Sequence, residues 1–182
     1  MTCCWVAVAA TRSVAVAAMT GSVARAATIR SPAEPRTTRS PVAAVLGMPS
    51  SATQIDYDSS KETVTLRFDQ VVPAGSANLS IAFTGVLNDK LRGFYRSQYT
   101  GDDGKQRTLA TTQFEATDAR RAFPCWDEPA HKASFDVTLV VPSDLAAISN
   151  TPAVEESEAG PGLRLVRFAE TPVMSTYLLA FI

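Results

Sequence analysis

Most of the chemistry in this sequence sits in one stretch, Thr112 to Pro129, which reads TQFEATDARRAFPCWDEP. Gln113 and Glu115 open it, two residues apart, and Asp118, Arg120, Arg121, Asp127 and Glu128 follow. If the backbone at its front is extended, Thr111, Gln113 and Glu115 share one face while Thr112 and Phe114 take the other. A carboxylate beside a carboxamide is a good receptor for a primary ammonium group. Glu supplies the charge, and Gln, which both donates and accepts, fixes the orientation. The same two residues would serve equally as polar groups on a strand surface, and spacing alone does not choose between these readings. For Asp118, Arg120, Arg121, Asp127 and Glu128 the structural reading leads: ion pairs that tie down a long connector. Pro124 and Pro129 turn the residues before them away from the helical region, which predicts a stiff, irregular connector.

A hairpin must deliver Gln113 and Glu115. Gly93 to Tyr99 (GFYRSQY) is expected to be its first strand, Gly101-Asp102-Asp103-Gly104 its turn, and Gln106 to Glu115 its second strand. Period-two alternation predicts further strands at Glu62–Phe68, where Val64, Leu66 and Phe68 oppose Thr63, Thr65 and Arg67, and at Asn78–Phe83. Turns are expected at Pro73-Ala74-Gly75 and at Asn88-Asp89. Beyond the connector, Phe135, Val137, Leu139 and Val141 alternate with Ser134, Asp136 and Thr138 as another strand, closed by Pro142-Ser143-Asp144. Leu145–Ser149 is expected to pair briefly, Glu155–Gly162 to be a solvated acidic loop, and Leu163–Phe168 and Thr176–Ile182 to be the last strands. Many short strands without a convincing helix predict an all-β, antiparallel sandwich or saddle.

At 182 residues the chain has room for one ordinary domain, and its 46% hydrophobic and 19% charged residues are globular values. A net charge of −1 argues against a nucleic-acid partner. Histidine limits the enzyme question, because His131 is the one histidine and a zinc-binding H-E-x-x-H needs two. His131 is expected to be an ordinary surface group. Cys3, Cys4 and Cys125 form neither a C-x-x-C nor a metal spacing, which predicts no disulfide framework and fits a reducing compartment. Cys125, between Pro124 and Trp126, reads as a small packed hydrophobe.

The stretch TQFEATDARRAFPCWDEP resembles the zinc aminopeptidases of the aminopeptidase N group, most closely the puromycin-sensitive aminopeptidases. LNDKLRGFYRSQY before it, and KASFDVTLVVP and TPVMSTYLLAF after it, carry the same resemblance, which runs from about Gln54 to Ile182. It implies the family's N-terminal β domain, whose Gln and Glu reach into the active site of a separate catalytic domain. Carried over residue by residue, Glu115 would hold the α-ammonium of a peptide's N-terminus and Gln113 would shape the pocket for its first residue. Zinc in the complete family enzymes sits in the catalytic domain. The H-E-x-x-H and G-A-M-E-N motifs of that domain are missing from this sequence. The resemblance therefore implies a substrate-anchoring part of a metalloaminopeptidase, with no cofactor and no catalytic residues of its own, inactive alone. Its partners would be a peptide N-terminus and the catalytic domain. The alternatives are a non-catalytic peptide-end binder or interaction module, and a non-functional truncated fragment.

The chain divides at about residue 50. Residues 1–50 are rich in Ala, Val, Ser, Thr and Pro, and carry Arg12, Arg25, Arg30, Arg36 and Arg39 against Glu34 alone. They read as a disordered, low-complexity leader, and 51–182 as the β domain, incomplete at both ends. An Arg-rich, acid-poor start also fits an organellar address, as the alternative to a cytoplasmic location. Arg12 and Arg25 break any approach to the roughly 18 apolar residues of a membrane span. At the other end, Tyr177, Leu178, Leu179, Phe181 and Ile182 are expected to form an apolar edge in need of cover.

Overall fold

The computed structural model describes residues 13–16, 26–30, 42–46, 52–70, 75–83 and 85–182. Thirteen strands run through them: β1 (Ser13–Val16), β2 (Ala26–Arg30), β3 (Val42–Leu46), β4 (Gln54–Asp58), β5 (Thr63–Arg67), β6 (Gly75–Ala82), β7 (Gly93–Thr100), β8 (Gln106–Gln113), β9 (Lys132–Ala133), β10 (Thr138–Pro142), β11 (Ala153–Glu158), β12 (Leu163–Phe168) and β13 (Met174–Ser175). They form five small sheets, ordered β1-β6-β3, β2-β5-β4, β7-β8, β10-β12-β11 and β13-β9. Every ladder between these strands is antiparallel. The helical segments among the described residues are two single 3-10 turns, Ala119–Arg121 and Thr176–Leu178, so the expected all-β architecture is the one observed.

Alternation built two cores. Val64 and Leu66 of β5, with Phe68, are buried against Ile55, Tyr57, Leu79, Ile81 and Trp126. A larger core gathers Phe114, Phe123, Phe135, Val137, Leu139, Val166, Phe168, Leu179 and Phe181. Phe114 lies edge-on to both Phe123 and Phe181, at ring-centroid distances of 5.9 and 6.0 Å. Cys125 is buried and in no disulfide, as its neighbours predicted, and shares an apolar crevice of about 80 Å³ with Phe123, Trp126, Leu79 and Ile81.

Several elements differ from the sequence reading, each for a local reason. Glu155–Gly162 is no loop over its first half, because β11 pairs along β12. All six β11 residues are exposed, so this edge strand shows no apolar period; Glu155 and Glu156 reach across to Arg167 (3.0 Å) and Arg164 (2.7 Å). An acidic edge also deters pairing with other chains. Phe135 and Val137 keep their alternating burial, yet the ladder starts at Thr138. The Thr171 hydroxyl accepts the Phe135 N–H (2.9 Å) in place of a backbone carbonyl.

Thr176–Ile182 is likewise no strand. Ser175 and Thr176 donate their hydroxyls to the Pro129 and Trp126 carbonyls (2.7 and 2.8 Å), and the chain coils once before an isolated bridge between Phe181 and Ser149. Leu179 and Phe181 find cover in the core while Leu178 and Ile182 remain exposed. The expected turn at Pro73-Ala74 lies outside the described residues. So does most of 1–50, except that β1 and β3 flank β6 and β2 pairs with β5.

A buried ion pair fixes the connector between β8 and β9. Asp127 is 0% exposed, and its Oδ2 accepts both the Arg120 backbone N–H (3.1 Å) and the Arg120 Nε–H (2.7 Å). Burial works against the charged Arg120, but the Asp127 hydrogen bond and the charges of Asp127, Glu62 and Glu128 outweigh it and raise its pKa. In the β4–β5 turn, Asp58 accepts the Ser60 hydroxyl (2.6 Å) and the Lys61 N–H (3.1 Å) and closes it. These bonds lower its pKa to about 2.

Two outcomes follow from this packing. Asp127→Ala leaves a buried guanidinium without its main partner and is expected to cost about 3–5 kcal/mol in urea unfolding; a loss below about 1 kcal/mol would contradict the assignment. For Asp58, the unfolded chain takes up its proton first, since the folded pKa is depressed. The turn's contribution is therefore complete above the ordinary Asp value of about 3.9 and is lost as pH falls through about 2. An NMR titration of its carboxyl carbon checks this, and a midpoint at about 3.9 would refute it.

Candidate functional site

β7 and β8 pair from Gly93↔Gln113 to Thr100↔Gln106, so Gln113 lies at the end of the hairpin remote from its turn. The strand was expected to reach Glu115 but stops at Gln113, where the chain swings into a turn closed by Asp118 N–H to the Phe114 carbonyl (2.9 Å). Phe114, 2% exposed, anchors that swing in the core, and the Glu115–Ala116 peptide is cis. The in-out alternation survives the end of the strand: Gln113 and Glu115 are exposed on either side of buried Phe114. Among the described residues, neither the Gln113 carboxamide nor the Glu115 carboxylate makes a side-chain hydrogen bond, and Glu115 is in no ion pair.

The charges that follow are engaged. Arg121 donates from Nε to the Asp118 carboxylate and forms an ion pair through Nη2 with Glu62 Oε1 (3.2 Å), while Glu62 Oε2 takes Arg120 Nη1 (3.3 Å). Together with Arg120–Asp127 this is a chain of alternating sign, Asp118–Arg121–Glu62–Arg120–Asp127. The expected structural role of Asp118, Arg120, Arg121 and Asp127 is what the geometry shows, and Glu128 adds its charge to the field on Arg120.

Two members were not visible in the sequence. Glu62 comes from the β4–β5 turn, 58 residues before Arg120, in a left-handed conformation (φ 52°). The alternation places it at the start of the Glu62–Phe68 strand, but that strand begins at Thr63 and Glu62 belongs to the turn; nothing around it in the sequence hints at a remote partner. Gly93 (φ 69°) is the other, because a Cβ there would stand 2.8 Å from the Cβ of Arg121. Glycine lets the hairpin's end lie directly against the connector.

His131 is exposed, immediately before β9, where the sequence put it. Among the described residues no three His, Cys, Asp or Glu side chains converge as metal ligands. No helix among them is long and apolar enough to cross a membrane.

The model of the Peptidase M1 N-terminal domain matches residues 39–178, beginning inside the stretch that the sequence reading set apart as a leader. The chain is 52% identical over 135 residues to aminopeptidase M1-B of rice (Oryza sativa subsp. japonica), covering 74% of this chain and 15% of that protein. Aminopeptidase M1 of Arabidopsis thaliana is 52% identical over 121 residues (66% of this chain, 14% of that one). The puromycin-sensitive aminopeptidase of Caenorhabditis elegans is 46% identical over 136 residues (74% and 14%). This chain thus spans about one-seventh of the length of these relatives. Matched over most of its length, and with an all-β fold, the chain belongs to the Peptidase M1 N-terminal domain family.

Proposed function

We propose that this chain is the substrate-anchoring N-terminal part of a zinc metalloaminopeptidase that removes N-terminal residues from peptides. Glu115 is the receptor for the peptide's α-ammonium, and Gln113 orients the first residue beside it. One observation carries this reading. In a stretch where Asp118, Arg120, Arg121 and Asp127 are all paired, Glu115 stands exposed with no partner among the described residues. An anchor for the free amine fixes how far the first peptide bond can lie from it, and that is how an exopeptidase counts one residue.

The residues of this chain do not fit a catalytic zinc. Its donor set offers the single, exposed His131 and no H-E-x-x-H. Metal and bond cleavage belong, in this reading, to a catalytic domain such as the one the aminopeptidase relatives are named for. The contribution of this chain is to bind and orient.

Two measurements on the whole chain test the proposal. With aminoacyl fluorogenic substrates and added zinc, no turnover is expected, and zinc-dependent hydrolysis would overturn the assignment. In an NMR titration, a short peptide with a free amine is expected to shift Gln113 and Glu115 amides with an affinity near ~1 mM, since a single exposed carboxylate is largely screened. Glu115→Gln and N-acetylation of the peptide should each weaken binding at least about tenfold, the loss of one charge-assisted contact. Equal binding of free and acetylated peptides would remove Glu115 as receptor.

A further inference from the structure

Resting on the reading of Glu115 as an ammonium receptor, we propose that Glu62, with Asp118, is a positioning residue that holds Arg121 away from Glu115 and so keeps the receptor carboxylate open.

Arg121 is a cation of the same connector as Glu115, six residues after it. It follows Glu115 by one turn and a 3-10 coil, and its Cβ lies against Gly93, the register partner of Gln113. Its side chain is 33% exposed, so it has room to move. What holds it are two carboxylates from different segments: Asp118 on Nε and Glu62 on Nη2. Asp118 is a near neighbour in sequence and belongs to the same turn as Glu115. Glu62 is not, and its other oxygen is committed to Arg120, whose Nε is bound to buried Asp127. The clamp on Arg121 is thereby referred back to the core.

The backbone at Glu62 supports this role. A left-handed residue at the end of a tight turn is most comfortable as glycine or asparagine. A glutamate there needs a reason, and its carboxylate bridging two adjacent arginines supplies one. Asp58 closes the same turn and sets the position from which Glu62 reaches out. Charge points the same way: Glu62, Asp118 and Asp127 surround Arg120 and Arg121, so the paired network as a whole is negative. It attracts an incoming ammonium where two free guanidiniums would repel it.

The magnitude is set by competition. A tethered cation acts at an effective concentration in the millimolar range, similar to the affinity expected of a single exposed carboxylate for a peptide amine. A released Arg121 is therefore a competent internal competitor. Losing the network's excess negative charge acts in the same direction.

The test uses the whole chain and trialanine amide, free or N-acetylated, followed by NMR titration at low salt. Glu62→Gln is expected to weaken binding of the free-amine peptide about fivefold, and the Glu62→Gln/Arg121→Gln double variant to recover wild-type affinity to within about twofold. Asp118→Asn, which opens the other side of the clamp, should behave in the same way and be rescued by the same second change; it carries the test if Glu62→Gln does not fold. Rescue on removing a cation is an outcome that a purely structural role for Glu62 does not produce. Wild-type affinity in Glu62→Gln, or a double variant as weak as the single one, overturns the proposal. If wild-type chain binds the acetylated peptide as well as the free one, the reading of Glu115 fails, and this inference with it. If acetylation abolishes binding but the double variant is not rescued, the Glu62 inference fails alone.

Discussion

Asp127 has none of its surface in contact with water, and Arg120 is nearly as enclosed, with 11% of its side chain exposed. Burying either ion alone carries a penalty of several kcal/mol, so each is tolerable only in the presence of the other. The pair also holds backbone, since one Asp127 oxygen takes both the side chain and the main-chain N–H of Arg120. Two points of an irregular connector, seven residues apart, are thereby fixed to each other without a sheet ladder. Apolar residues of similar size would fill the space with comparable stability, but they would not fix the direction of the Arg120 guanidinium, and that direction matters because Glu62 binds its other end.

The connector consequently belongs to both cores. Phe123 and Phe114 seat it in the larger core, Trp126 in the smaller one, and Thr176 and Ser175 fasten its Trp126 and Pro129 carbonyls from the C-terminal side. The segment that carries Glu115 is thus tied to both cores, although it lacks regular secondary structure. For the receptor role proposed for Glu115 this is the useful arrangement, because a carboxylate on a mobile loop gives charge without position.

The sequence showed much of this, unevenly. Alternation in Glu62–Phe68 located a core strand because Val64, Leu66 and Phe68 are buried and the residues between them are not. The hairpin and its turn were legible from GFYRSQY and from the Gly-Asp-Asp-Gly cluster. β11 was invisible, since a strand exposed on both faces has no apolar period to read. Thr176–Ile182 misled in the opposite way: its apolar run was real, but hydroxyl contacts to the connector displaced the ladder. At the site, the exposure of Gln113 and Glu115 on either side of buried Phe114 followed from period two, and the structural role of the connector charges from the rule that clustered charges are often structural networks. Glu62 could not be foreseen, because a carboxylate 58 residues upstream reveals its partner only once the two sheets are assembled. Gly93 was equally silent, its lack of a side chain mattering only against Arg121.

The central claim is that the connector is as firmly held as the strands, so that Glu115 is presented from a fixed platform. Native-state hydrogen exchange at the Arg120 amide, bound to Asp127 Oδ2, tests this most directly against the Phe168 amide, bound to the Val137 carbonyl in the core. The account predicts that both exchange only through the same global opening, with equal free energies and equal denaturant dependence. Exchange of Arg120 through a local, denaturant-independent opening while Phe168 stays protected would contradict it.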